Sequence, residues 1–431
     1  MTDSKILYKK LQKMSRYKKN TIDKQTVLAY LDRRKRLHII CGYMGQALIF
    51  AYLCSYLEVI MKENLIKPES FPYDEFLEIK EQRDNYVGHW LSSGDGNNAI
   101  INVQPGWDMW NDNTCADRDR FLAMNLWGMA ESAKWKSDCV FPHLQPWYGV
   151  GIIATPFGAE YMWSGNSAPQ THHIFKSVDE LNGIETPQVG KTGPMKEVLD
   201  RIAWYREVTK DQLPISLTDT QTPFNTASLL VETNEFFANI SLAPEKLAGL
   251  LKAIAEVIIN YSDMQLEAIG PNTSMPGHQM LCHSSLKGIS LSDDNMTMLS
   301  PKAYEEVMVP YINMISEHFG GVALHSCGRV AHCIGALKKV KGLQQVEHAV
   351  CCITKDSDPD PNEPEPLAQG YRGTGVILKV RLNKTESELL DKLIYPDLKC
   401  VLVITGAESK AESEQVYDTF KKKIDQITSK W

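Results

Sequence analysis

The chain has 431 residues, 43% hydrophobic and 23% charged, with a formal net charge of −7. Its length exceeds one ordinary domain of about 100–200 residues, and its balanced composition excludes a disordered or fibrous polymer. The acidic surplus excludes a nucleic-acid scaffold, which needs a basic face.

From Met1 to Asn20 the chain is polar and lysine-rich, with no apolar core of a secretory signal. The run His38 to Met61 is long enough to span a bilayer. Gln46 near its middle and Glu58 near its end read instead as a buried or dimer-interface helix, with a membrane span as the alternative. Helical patterning in Val27 to Leu37 and Tyr73 to Tyr86 predicts an N-terminal helical extension over residues 1–88, a candidate surface for homo-oligomer formation.

From residue 89 onward, short apolar runs alternate with long amphipathic segments, the signature of βα units around a parallel sheet. The predicted strands are Ala99 to Val103, Cys139 to Leu144, Leu213 to Leu217, Gly288 to Leu291, Gly321 to Leu324, Gln344 to Ala349, Gly375 to Val380 and Cys400 to Ile404. Val150 to Ala154 competes as a further strand or hairpin. Eight strands are what a closed (β/α)8 TIM barrel requires, so residues 89–431 are expected to form one α/β barrel. Among the predicted helices, Pro244 to Ile269 runs from a proline to Gly270, and Ser300-Pro301 opens a run that ends at Gly320-Gly321. Thr385 and Glu388 have capping-box spacing, and Lys410 to Ile427 reads as the last helix. The acidic, proline-rich stretch Asp356 to Pro366 is either a solvated linker or a lid.

The 10 cysteines include the adjacent pair Cys351-Cys352, a spacing that disfavours a structural bridge. A reducing, cytoplasmic compartment is expected, with thiols serving as core residues or metal ligands. The sharpest local feature is GGVALHSCG, Gly320 to Gly328. His325 and Cys327 are two apart at the end of a predicted strand, so both side chains leave on one side. At the carboxyl rim of a barrel they form half of a zinc site; a hydrogen-bonded histidine beside a core cysteine is the structural alternative. Cys351 and Cys352 follow the next strand and fall on the same rim, which makes one of them a candidate third ligand. Cys282-His283 precedes a strand and is expected at the opposite end in a structural role. Asp219 and the pair Asp293-Asp294 follow predicted strands, either as rim carboxylates or as helix caps. Trp107, Trp110, Trp147 and Trp163 either line a pocket or cover the core.

Several ordered blocks resemble the uroporphyrinogen decarboxylase superfamily, which includes zinc- and corrinoid-dependent methyltransferases. They are FPHLQPWYGVGIIATPFGAE from Phe141, LPISLTDTQTPFNTASLLV from Leu213, and ISLSDDNMTMLSPKAYEEVMVPYINMI from Ile289, the last leading into the H-S-C-G run. The resemblance covers roughly Gln82 to Trp431 and implies a (β/α)8 barrel. The decarboxylase branch carries an arginine motif near the first strand and an aspartate after the second. This chain has IINVQPGWDMW and CVFPHLQPW there, with His143 and Gln145 in place of the carboxylate. The methyltransferase branch has His-x-Cys on a late strand, which His325 and Cys327 match. That likeness implies one zinc ion, a small O-, N- or S-methyl substrate, and cobalamin or another corrinoid carried by a partner protein. Thiol-methylating members add a cysteine after the last strand; the matching position here is near Thr405, leaving Cys352, Cys351 or Glu408 as the substitute. The expected site then has Asp219 and His143 as catalytic groups, with Gln145, His348 and Asp293 contacting substrate and His325, Cys327 and Cys352 holding metal. The alternatives are a metal-independent decarboxylase or lyase, and a non-catalytic binding protein on the same barrel.

Overall fold

The computed structural model describes residues 65–93, 98–106, 112–163, 168–278, 280–350 and 361–431. The His38 to Met61 run, Trp107, Trp110, Cys351, Cys352 and the Asp356 to Asp360 part of the Asp356 to Pro366 stretch lie outside the described residues, and a helix begins at Pro364. No helix among the described residues is long and apolar enough to cross a membrane.

Helix α1 spans Tyr73–Ser92, β1 Ala99–Val103, α2 Arg118–Lys134, α3 Gly193–Val208, α4 Pro223–Leu230 and α5 Pro244–Ile269. They are followed by β2 Ile289–Ser292, α6 Val309–Phe319, β3 Val322–Ser326, β4 Leu343–Ala349, β5 Ile377–Asn383, β6 Cys400–Thr405 and α7 Lys410–Thr428. The six strands form one parallel sheet in the order β1-β6-β5-β4-β3-β2.

The predicted strands Cys139 to Leu144 and Leu213 to Leu217 occupy the remaining two barrel positions without forming ladders. Single parallel bridges join Leu144 to Ile215 and Gln221 to Ser292. Asp138 N–H donates to Ile101 O at 2.8 Å, which joins the first of these segments to β1. The physical reason is proline. Pro142, Pro146 and Pro214 each remove an N–H that a ladder would use. Side chains substitute for the missing ladder: Ile101 N–H donates to Asp138 Oδ2 at 2.7 Å and Val103 N–H to Ser137 Oγ at 3.1 Å. The barrel expected from the sequence is therefore present, with two of its eight staves reduced to bridges.

Helices explain themselves locally. Pro244 opens α5 and Gly270, at φ +74°, closes it, so the predicted boundaries hold. The run expected from Ser300 to Gly320 contains a π turn, Tyr304–Met308, just before α6. Pro310 lacks the N–H that would bond back along the helix, which accounts for the widened turn. One alternative and one expectation fail. Val150 to Ala154 contributes to a 3-10 turn, Ile152–Phe157, rather than a strand. The Thr385–Glu388 capping box does not form: Glu386 accepts from Asn383 N–H at 2.7 Å, while Glu388 pairs with Lys423 at 2.5 Å.

Two apolar layers result. The larger lies between strands and outer helices, where Val346, Leu378, Val380 and Leu402 meet Leu251, Ile312 and Phe420 within one cluster. The second lies inside the barrel at its amino end, where Ile100, Ile377, Val401 and Val403 pack with Val87 and Trp90 of α1. Thus α1 closes the barrel floor, and Lys399 Nζ ties it there by donating to Trp90 O at 2.6 Å.

Gly288 stands where β2 enters beside Gly321, at φ +79°, and a Cβ would overlap the Gly321 carbonyl oxygen. Backbone cannot yield as a side chain can. Gly288→Ala is expected to destabilise by roughly 2–5 kcal/mol through left-handed strain plus overlap. A denaturant midpoint unchanged from wild type would contradict this reading.

Candidate metal centre at the barrel mouth

Strand register sets the site. Ser292, His325, Glu347 and Lys379 are successive partners across β2, β3, β4 and β5, so their side chains share the lumen face. Cys327 follows β3, Asp294 follows β2, and Arg381 lies two residues beyond Lys379 on β5. All these groups except Lys379, which lies in the amino half of β5, stand toward the carboxyl ends of the strands, the rim where barrel chemistry is built.

His325 Nε2 lies 3.2 Å from Cys327 Sγ and 3.9 Å from Asp294 Oδ1. The three ligand atoms of Asp294, His325 and Cys327 all fall within 4.8 Å of one another. In a tetrahedral zinc site with bonds of about 2.0–2.3 Å, neighbouring donors stand about 3.3–3.7 Å apart. The nitrogen, sulfur and oxygen donors present therefore fit a divalent transition ion. Asp294 also accepts from Cys327 N–H at 2.8 Å, which fixes the turn carrying the thiol.

Behind the donors stands a fully buried carboxylate. Glu347 Oε2 contacts His325 Nδ1, and Glu347 Oε1 lies 2.8 Å from Arg381 Nε. Burial alone would raise Glu347, but Arg381 and His325 hold its carboxyl far below the usual range. Burial likewise opposes charge on His325, yet Glu347 and Cys327 raise the imidazole well above its ordinary value. In either state Nδ1 faces Glu347, which leaves Nε2 directed at Cys327 and Asp294. Carboxylate-oriented histidines are the usual support of a metal ligand.

A second polar cluster lines the lumen. Asp219 accepts from Ser292 Oγ at 2.9 Å and Gln221 Nε2 at 3.2 Å, and His278 Nε2 stands 3.7 Å away. His143 bonds Ser274 Oγ through Nδ1 at 2.9 Å and meets Gln145 Nε2 through Nε2 at 3.2 Å. Burial, reinforced by His278, lowers His143 to about 3, so it is neutral across the physiological range. Cys282 follows Leu281 of the floor cluster and His283 lies against Gly88 of α1, so the pair stands at the amino end, with Cys282 Sγ 3.7 Å from His143 Nδ1.

Sequence reasoning singled out His325, Cys327, Asp219, His143 and Gln145, and the fold directs all five into the lumen. Asp293 and His348 go elsewhere. Asp293 accepts from Tyr304 OH at 2.6 Å, and burial raises it to about 7. His348 alternates with Glu347 along β4, so it points outward and meets Tyr371 OH at 3.2 Å. The residues that sequence reasoning overlooked are Glu347, Arg381 and His278. Glu347 and Arg381 carried a signal, since a charge inside an apolar strand needs a buried partner. Trp147 stacks on Phe121 in the core, whereas Trp163 is largely exposed.

Burial holds His348 down to about 4, against 6.5 when unfolded. A histidine lowered in the folded state contributes stability above pH 6.5 that is lost as pH falls toward 4. Between pH 7 and pH 5 the loss is about 2 kcal/mol. His348→Gln is expected to remove that component, and matching pH dependences of wild type and variant would contradict it.

The uroporphyrinogen decarboxylase (URO-D) family model matches residues 148–355, which bears out the resemblance. A methyltransferase from Methanosarcina mazei shares the fold, with a TM-score of 0.54 at 14% identity over 81% of this chain and 98% of that one. A thiamine phosphate pyrophosphorylase from Pyrococcus furiosus overlays only at a TM-score of 0.23, with 11% identity over 55% of this chain and 80% of that one. No curated protein sequence matches the chain.

Proposed function

We propose that this chain, which has the barrel of the uroporphyrinogen decarboxylase superfamily, is a methyltransferase. It moves a methyl group between a small O-, N- or S-methyl compound and the cobalt of a corrinoid protein. One zinc ion is held by Asp294, His325 and Cys327, with Cys352 as a further donor from the segment outside the described residues. The observation that carries the reading is the converging Asp-His-Cys set at the mouth of such a barrel. When bound, the ion supplies Lewis-acid polarisation of the substrate heteroatom.

The chain's own residues supply the rest. Glu347 keeps His325 Nε2 directed at the mouth, and Asp294 fixes the Cys327 turn. Asp219 has acceptor capacity beyond the bonds from Ser292 and Gln221, so it suits a substrate hydroxyl or a proton released or taken up there. His143 and Gln145 brace each other and form a neutral, polar wall of the lumen for the substrate. Six free thiols among the described residues suit a cytoplasmic location.

The test uses purified protein, reduced cobalamin and a panel of O-, N- and S-methyl compounds, with methyl-cobalt formation followed by absorbance. Zinc-dependent methyl-cobalt formation with at least one donor class is the expected result. Turnover of an acidic substrate that persists after metal removal would replace this reading with the decarboxylase alternative.

A further inference from the structure

Arg381 touches one donor of the centre directly and reaches a second through Glu347. Its Nε lies 2.8 Å from Glu347, whose other oxygen contacts His325, and its Nη2 donates to Cys327 Sγ at 3.7 Å. One planar guanidinium therefore links the histidine arm of the site to the thiol arm. Lysine has no such fork, since its ammonium acts as a single point.

We propose that Arg381 is a positioning residue that sets metal affinity and the electron density on the Cys327 sulfur. The proposal rests on the metal-centre reading above. Two physical consequences follow. Without Arg381, Glu347 loses the guanidinium paired with its Oε1, so its hold on His325 loosens and the imidazole loses its fixed direction. Without the N–H donor, the sulfur lone pair rises in energy and the thiolate becomes a stronger donor. Both effects reach the metal through the ligands, with no contact between Arg381 and the ion required. Removal of an outer hydrogen-bonding partner of this type weakens metal binding by about 10–100-fold.

The test replaces zinc by cobalt(II) in the full chain and compares wild type, Arg381→Met and Arg381→Lys. Affinity is read by chelator competition, and sulfur donation by the thiolate-to-cobalt charge-transfer band. Circular dichroism and thermal melting confirm that each variant is folded. Arg381→Met is expected to bind cobalt about 10–100-fold more weakly, with its band moved to longer wavelength. Arg381→Lys, able to serve Glu347 or Cys327 but not both, is expected to recover only one of the two effects. A folded Arg381→Met with the affinity and band of wild type would overturn the inference while leaving the metal centre standing. Absence of any cobalt–thiolate band in wild type would overturn both.

Discussion

Replacing Glu347 by alanine is expected to destabilise the fold by about 3–5 kcal/mol, the loss that follows when one partner is removed from a buried ion cluster. Glu347 has no exposed surface and lies between His325 and Arg381. Its loss leaves Arg381 without its carboxylate in the lumen and also removes the acceptor of His325 Nδ1. Glu347→Gln keeps the shape and a hydrogen-bonding oxygen, so its cost is expected to fall between alanine and wild type. Urea unfolding at pH 7 measures both, and a Glu347→Ala loss below about 1 kcal/mol would mean that the cluster is solvated rather than buried. The pH dependence has a definite sign. The folded carboxyl sits below the 4.5 of the unfolded chain, so its contribution is intact above pH 4.5 and declines as pH falls below it. The alanine variant loses that acid-sensitive component.

Metal binding should separate the three donors by their chemistry. Cys327→Ala removes the thiolate, the donor whose charge and softness match zinc best, and is expected to abolish measurable retention through gel filtration. Asp294→Ala is expected to be milder, weakening affinity by about 10–100-fold, because its carboxylate is half exposed and water can replace it. His325→Ala should resemble Cys327→Ala, and it should also destabilise by leaving Glu347 with one partner fewer. Chelator competition on the three folded variants gives the order. If Asp294→Ala equals Cys327→Ala in severity, Asp294 is a principal ligand and not an adjustable third one. If all three bind like wild type, the donors lie elsewhere, with Cys351 and Cys352 the next residues to replace.

The sequence was legible where one physical signal dominated. Apolar runs such as Val322 to Leu324 and Val401 to Ile404 became ladder strands because burial on both faces favours continuous hydrophobicity. The strands around His143 and Pro214 had the right composition, yet proline removed the donors a ladder needs, and only bridges remain. His325 and Cys327 were readable together because a period of two fixes their side, and no distant contact has to be known. Asp293 and Asp294 show the limit. Both follow β2, and one sends its carboxylate to Tyr304 while the other sends it to Cys327. That choice depends on which partner each turn meets in space, and a single sequence does not encode it locally. Likewise Glu347 and His348 are neighbours on β4, and the strand's alternation puts one in the lumen and the other against Tyr371. Reading a histidine at the rim as a substrate contact favoured the wrong-facing neighbour, although the register from His325 to Glu347 contained the answer.

The metal content of the wild-type protein tests the central claim most directly. Protein purified without chelator from zinc-replete medium, and analysed by elemental spectroscopy against its own sulfur content, is expected to hold about one zinc per chain. A well-folded wild type with no zinc, and none taken up on titration at neutral pH, would contradict the metal centre and the methyltransferase built upon it.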